Sequence, residues 1–281
     1  MKLKINTILV LLFVGAIGCS TIKLGIPDQF KQQATEMHVK GLNGFTINQT
    51  LEFGNYNTSI IKNDWVFTRE KTGHAWDLNA EGRILKMFNV DNLNKRTRSN
   101  TKYQYSLYGD GLESKIFCLE DKKLTESEIK TNNKWLGDFS QTRNYNYTFS
   151  AAILPLVQNF DDPWQVLLYN RYDAKRDTAK RFFDLPYIEE EGYAKNGDET
   201  ITIRTIRTKN GTTAQGRDVN FPVKMPAGYE LRIDDGVIGI IDTYDNNIWI
   251  YNDLDKETKL IVASISSAIL LRKLGTVGTI E

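Results

Sequence analysis

The segment "LIVASISSAILLRK", Leu260 to Lys273, is apolar on every side of a helix, and it constrains the fold more than any other feature of the 281-residue chain. Asn252, Asp253 and Asp255 precede it, offering acceptors for the open amides of a first turn and negative charge at the positive end of the helix dipole. Arg272 and Lys273 fall at the opposite end and Gly275 is placed to terminate the last turn, which predicts a helix over residues 254–274. At about 100° per residue, Leu260, Ile261, Val262, Ala263, Ile265, Ala268, Ile269, Leu270 and Leu271 spread around the whole circumference. Ser264, Ser266 and Ser267 share no face. The apolar stretch of 12 residues falls short of the roughly 20 needed to cross a bilayer, so protein must cover the helix on all sides.

The remainder of the chain supplies strands for that cover. Short runs rich in Thr, Tyr, Phe, Ile and Val alternate with Gly, Asn and Asp, as in "TKYQYSLYG", "LESKIFCLE", "WQVLLYNRY" and "ETITIRTIRT". Strands that surround one helix form a closed wall. The expected architecture is therefore mainly β: an antiparallel β-barrel enclosing a C-terminal hydrophobic helix. "GVIGIIDTYDNNIWIYN" reads as the last hairpin, with Asp245, Asn246 and Asn247 tolerating the left-handed backbone of a short turn. Its first arm is apolar without alternation, as in a strand covered on both faces. Asn210-Gly211, which ends an alternation running from Thr200, predicts another tight turn. Thr125, with Glu128 three residues on, predicts a short surface helix within "KKLTESEIKTNNKWL". Residues 37–281 read as one large β domain, with Glu120 to Thr142 as its weakest stretch.

The opposite end of the chain carries an address. Lys2 and Lys4 precede an apolar run, Ile8 to Ile17, too short to span a bilayer and ending in small residues, the pattern of an export signal over residues 1–18. "AIGC", Ala16 to Cys19, resembles the lipobox of bacterial lipoproteins, in which the chain is cut before the cysteine and that cysteine receives acyl chains of the palmitate type. The resemblance implies lipidation at Cys19, membrane attachment through that anchor, residues 19–36 as a tether, and a place in the cell envelope. Ser20 stands after the cysteine in place of an aspartate, which points to the outer membrane. Removing Lys2 and Lys4 leaves 34 basic residues against 35 acidic, so no global field attracts nucleic acid. Cys118, the one other cysteine, reads as a buried small hydrophobe rather than a reactive thiol.

The strand "GVIGIID", its partner "IWIYN" and the capped apolar helix after them resemble the C-terminal signature of the tubby, phospholipid scramblase and LURP-one group. The likeness covers about 40 residues, Gly236 to Gly275, and implies a barrel wrapped around a terminal helix. No basic motif matches the phosphoinositide site known in tubby domains, so that activity does not carry over. "EMHVKGLNGFTINQTLEFGNY", Glu36 to Tyr56, is similar to the opening of a set of bacterial envelope lipoproteins of unassigned activity.

Little in the chain offers chemistry. His38 and His74 are its two histidines, and His74, three residues before Asp77, reads as a turn contact rather than half of a catalytic pair. No G-x-S-x-G elbow presents a serine, and no phosphate loop or dinucleotide fingerprint occurs. Two histidines and one spare cysteine make no zinc set, and "DTYDNN" and "NDLDKE" lack the order of an EF-hand loop, reading instead as turn and N-cap. No catalytic residue, metal or cofactor is expected. Glu189 to Glu191 read as a solvated loop rather than a cation site. "NKRTRSNTK" and "NRYDAKRDTAKRF" read as charged hairpin tips, with anionic headgroup or glycan contact as the alternative for the second, which holds Arg171, Lys175, Arg176, Lys180 and Arg181. Trp65 and Trp249 read as core, and Trp76, Trp135 and Trp164 are left open.

These readings describe a lipid-anchored binding or structural module of the envelope, facing a lipid, glycan or protein partner. Two alternatives stand beside it. One is a hydrolase of envelope glycan or lipid with Asp184 and Glu189 in its cleft; the other is a lipid carrier with an apolar cavity beside the helix.

Overall fold

The computed structural model describes residues 22–42, 48–63, 67–74, 90–131, 139–156, 163–173, 189–213 and 217–272. In chain order they form β1 (Ile22–Lys23), α1 (Asp28–Gln33), β2 (Ala34–His38), β3 (Glu52–Phe53), β4 (Tyr56–Thr58), β5 (Lys62–Asn63), β6 (Phe67–His74), β7 (Val90–Gly109), β8 (Leu112–Thr131) and β9 (Phe139–Pro155). There follow β10 (Trp164–Asp173), β11 (Glu189–Asn196), β12 (Glu199–Thr213), β13 (Asp218–Ile233), β14 (Gly236–Asp242), β15 (Asn247–Tyr251) and α2 (Lys256–Leu270).

The strands run in the order β2-β15-β14-β13-β12-β11-β10-β9-β8-β7-β4-β3, with β1 added to β12 and β5 and β6 to β7. Every pairing is antiparallel, and the two ends of the path meet where Lys40 and Glu52 exchange backbone hydrogen bonds of 2.9 and 3.2 Å. The result is a nearly closed antiparallel barrel, which leaves few unpaired edge groups. Period-two patterning sets the two faces: Tyr103, Tyr105 and Leu107 of β7 are buried, while Lys102, Gln104 and Tyr108 are exposed. Asp110 and Gly111, at φ 51° and 80°, make the two-residue primed turn that matches the twist of the long β7–β8 hairpin.

Helix α2 occupies the inside of this wall. Asp255 caps it, accepting from the Thr258 amide at 2.8 Å, and every residue from Leu260 to Ile269 is buried. Burying its apolar side chains stabilises the fold by on the order of 10 to 20 kcal/mol gross, before ordering costs. The wall also meets several polar atoms of the helix, while the buried Ser266 hydroxyl finds no partner among the described residues. Tyr103 donates to the Ala268 carbonyl at 2.9 Å, the Tyr105 hydroxyl meets Ser267 at 2.8 Å, and Ser114 meets Ser264 at 2.7 Å. Ser264 and Ser267 bond back to the carbonyls of Leu260 and Ser264, which suits hydroxyls enclosed within a helix. On β14 the approach is close enough to require glycine: a Cβ on Gly239 would lie 2.9 Å from Cγ1 of Val262. Among the described residues, no helix is long and apolar enough to cross a membrane.

The two-sided apolar character of β14 and β15 also has its cover. Ile241 and Ile248 belong to the interior cluster, whereas Ile240 and Trp249, paired in register, lie in a second cluster with Leu24, Ile26 and Ala34. Residues 19–36, expected as a tether, are thus built into the fold from Ile22 onward. The Leu24 amide donates to Asp242 at 3.1 Å, and Lys23 pairs with Asp245 at 3.5 Å. An outward apolar row needs a lid, and this segment provides it.

Three local expectations fail. The charged stretch "NKRTRSNTK", expected at a hairpin tip, runs through the middle of β7, paired with β6 and β8. Asn210-Gly211 is no turn: β12 continues through it to Thr213, with a register irregularity after Thr208 and Asn210 opposite Asn220. Ladder bonds to β13 on one side and to β1 on the other exceed what a tight turn would supply. The helix expected at Thr125 is likewise strand, because β8 is paired on both edges, with Thr125 opposite Arg96 of β7 and Asn144 of β9. A single capping signal is worth about 1 kcal/mol and is outweighed by two ladders.

Replacing Ile265 by Asp traps an unpaired charge beside the wall. Circular dichroism should show loss of the cooperative thermal transition; a variant melting like the parent would contradict the enclosed helix. Asp255→Ala should lower unfolding stability by about 1 kcal/mol in urea titration, with no change in m-value.

Candidate functional site at the barrel mouth

A charged cluster lies where α2 ends. Arg272, one residue past the Leu271 C-cap, turns its side chain back inside, so that none of it is solvent-exposed. Its Nε donates to the Ile269 carbonyl at 3.3 Å, and its terminal nitrogens reach Glu190 of β11 and, at 2.6 Å, the Tyr229 hydroxyl of β13. Tyr229 in turn donates to Glu190 at 2.7 Å. Three rings surround the guanidinium carbon, Tyr229 at 5.0 Å, Phe149 at 5.5 Å and Tyr147 at 5.8 Å from centroid. Burial alone would push the Arg272 guanidinium down, but Tyr229 and Glu190 outweigh it and hold it well above its ordinary value. Burial likewise pushes the Tyr229 phenol up, against the pull of Arg272.

Glu120 of β8 sits beside this cluster, 5% exposed, accepting from Tyr147 at 3.2 Å. Together with Gln49, Asn63, Thr101, Tyr103 and Arg272 it lines a cavity of about 480 Å³ at the mouth. A second concavity, about 520 Å³, lies on the outer wall over β8 to β11, where Phe117, Leu119 and Tyr193 are exposed around the small residues Ser150 and Ala152. The mouth can hold a small polar ligand through paired acceptors and donors; the outer groove can take an apolar one.

The residues singled out from sequence are scattered by comparison. Glu189 to Glu191 are not a solvated loop: they lie in β11, where alternation turns Glu190 inward to Arg272 and Glu191 outward, accepting from Tyr169 at 3.2 Å. A buried guanidinium demands an acceptor, and a strand neighbour supplies it. Glu189 opens β11 opposite Arg171, and Asp184 lies outside the described residues. Among the described residues, the carboxylates at the mouth are Glu120 and Glu190, each bonded to a phenol. His38 contacts Asn247 at 2.8 Å at the C-terminal end of β2, without lining the mouth cavity. His74 ends β6, and Asp77 lies outside the described residues. Asp242 accepts from the amides of Leu24, Tyr244 and Asp245, and Asp255 from Thr258, so both acidic stretches serve turn and cap.

Cys118 is buried, and burial pushes its thiol up, away from reactivity. Trp249 is buried under the N-terminal segment and Trp164 within the interior cluster, whereas Trp65, Trp76 and Trp135 lie outside the described residues, as do Cys19 and, of the second basic stretch, Lys175, Arg176, Lys180 and Arg181; its Arg171 lies in β10. Among the described residues, no group of three or more His, Cys, Asp or Glu is placed to hold a metal ion. Sequence reasoning missed the Arg272–Glu190 pair. Its one available signal was a charge at the end of a helix with no polar face.

Arg272→Met leaves Glu190 buried against a thioether and should cost about 3 to 5 kcal/mol of unfolding free energy. The double variant Arg272→Met/Glu190→Leu should recover most of that loss; denaturant titration of the pair gives the coupling, and additive losses would mean that the two side chains do not act together.

The chain matches no protein-family model, no curated protein and no solved structure.

Proposed function

We propose that the chain is a lipid-anchored protein of the cell envelope, held to the membrane through acylated Cys19 and serving as a binding or structural module. The observation that carries the module reading is the filled interior: ten consecutive helical residues, Leu260 to Ile269, are buried within the wall. A carrier requires an apolar chamber beside its plug, and here Gly239 admits Val262 at a separation that no larger residue allows. The concavities described lie at the mouth and on the outer wall. A hydrolase needs a carboxylate free to exchange a proton with substrate. Among the described residues at the mouth, Glu120 accepts from Tyr147 and the Glu190 oxygens are engaged by Arg272 and Tyr229. Binding thus fits these surfaces better than turnover, with an envelope lipid, glycan or protein as the partner class.

Two measurements check this. Cys19→Ser should move the protein from the membrane to the soluble fraction with its melting unchanged, and continued sedimentation with membranes would reject the anchor. Mass spectrometry of the natively purified protein should find acyl chains on Cys19 and no stoichiometric lipid released from the barrel. A constant co-purifying lipid would replace the module by a carrier.

A further inference from the structure

The barrel has two chemically different ends. The turns Gly54-Asn55, Asp110-Gly111, Gly197-Asp198 and Asp234-Asp235 share one end with the β15–α2 connection, because hairpin turns alternate along an antiparallel path. Asp110, Asp198, Asp234, Asp235, Asp253 and Asp255 all fall in these connections, which contain no lysine or arginine. At the opposite end α2 finishes, the mouth cavity opens, and β7, β8, β12 and β13 run on past it. Arg98, Lys123, Lys209 and Arg217 are exposed on or beside those extensions, with Asp121 held between Arg98 and Lys123 at 3.1 and 3.4 Å and Asp218 exposed beside Arg217.

The chain also enters the fold at this basic end. Ile22 and Lys23 pair with Thr213 and Thr212 at the extended tip of β12, and buried Leu24 is tied to Asp242, so β1 is fixed to the wall. Three peptide steps separate Cys19 from Ile22, a reach of about 10 Å at full extension.

We infer that the basic end of the barrel lies against an anionic lipid surface, with the mouth cavity turned toward the membrane and the aspartate-rich turns turned away. This rests on the lipid anchor proposed above: a lipid on Cys19 leaves the β1 end no room to stand off from the headgroups. Lysine and arginine near such a surface are attracted and aspartates repelled, so charge and chain length select the same orientation.

Full-length lipidated protein, reconstituted into phosphatidylethanolamine–phosphatidylglycerol vesicles containing a headgroup-nitroxide lipid, tests this. A fluorophore is placed on Lys209→Cys in one sample and on Asp198→Cys in another, both exposed positions, with Cys118 buried and Cys19 blocked by its thioether. The label at position 209 should be quenched several-fold more than the label at 198. Equal or reversed quenching in protein that floats with the vesicles overturns the orientation and leaves the anchor standing. Protein that fails to float overturns the anchor, and the orientation with it.

Discussion

A helix apolar on its whole circumference has to be enclosed, and the rest of this molecule is organised by that need. A single packed layer would cover one side of α2, whereas a sheet curled back on itself covers all of them. The strand path from β2 to β3 does this, and the Lys40–Glu52 bridge joins its ends with one pair of residues. The wall is adjusted to its contents at particular points. Gly239 lets β14 approach Val262, and the hydroxyls of Ser114 and Tyr105 meet those of Ser264 and Ser267, adding wall contacts to the bonds these serines make within the helix. The N-terminal segment then covers the outward row of Ile240 and Trp249, so first and last parts of the chain close the same side.

Arg272 gives the plug a fixed depth. A purely aliphatic rod in an aliphatic sleeve has little to oppose sliding by a turn, since each register buries similar area. A guanidinium that reaches Glu190, Tyr229 and the Ile269 carbonyl together has one position in which all its bonds are made. Arg272 also lines the mouth cavity, so the group that locates the helix shapes the surface available for binding.

How much of this was legible depended on how local the cause was. The terminal helix could be read because its cap, its greasy faces and its end lie within 20 or so residues; the observed bounds, Lys256–Leu270, fall inside the expected 254–274. The last hairpin could be read for the same reason, and Asn246 does adopt a left-handed φ of 53°. Asn210-Gly211 misled because the decision belongs to β13 and β1, which are remote in sequence and hold β12 straight through it. The Thr125 segment misled similarly, its strand state being imposed by β7 and β9. Glu190 was hidden for a different reason: a triple glutamate looks solvated until alternation in a strand separates the middle one from its neighbours. The tether reading failed because the apolar row that needs Leu24 and Ile26 lies more than 200 residues later.

Amide hydrogen exchange along α2 tests the enclosure most directly. With the wall sealed, the amides of Val262 to Ile269 have no route to solvent short of barrel opening, so their protection should equal the global unfolding free energy and fall in parallel with it in denaturant. Exchange of these amides at the rate of a fraying surface helix, insensitive to denaturant, would show that the rod is not enclosed.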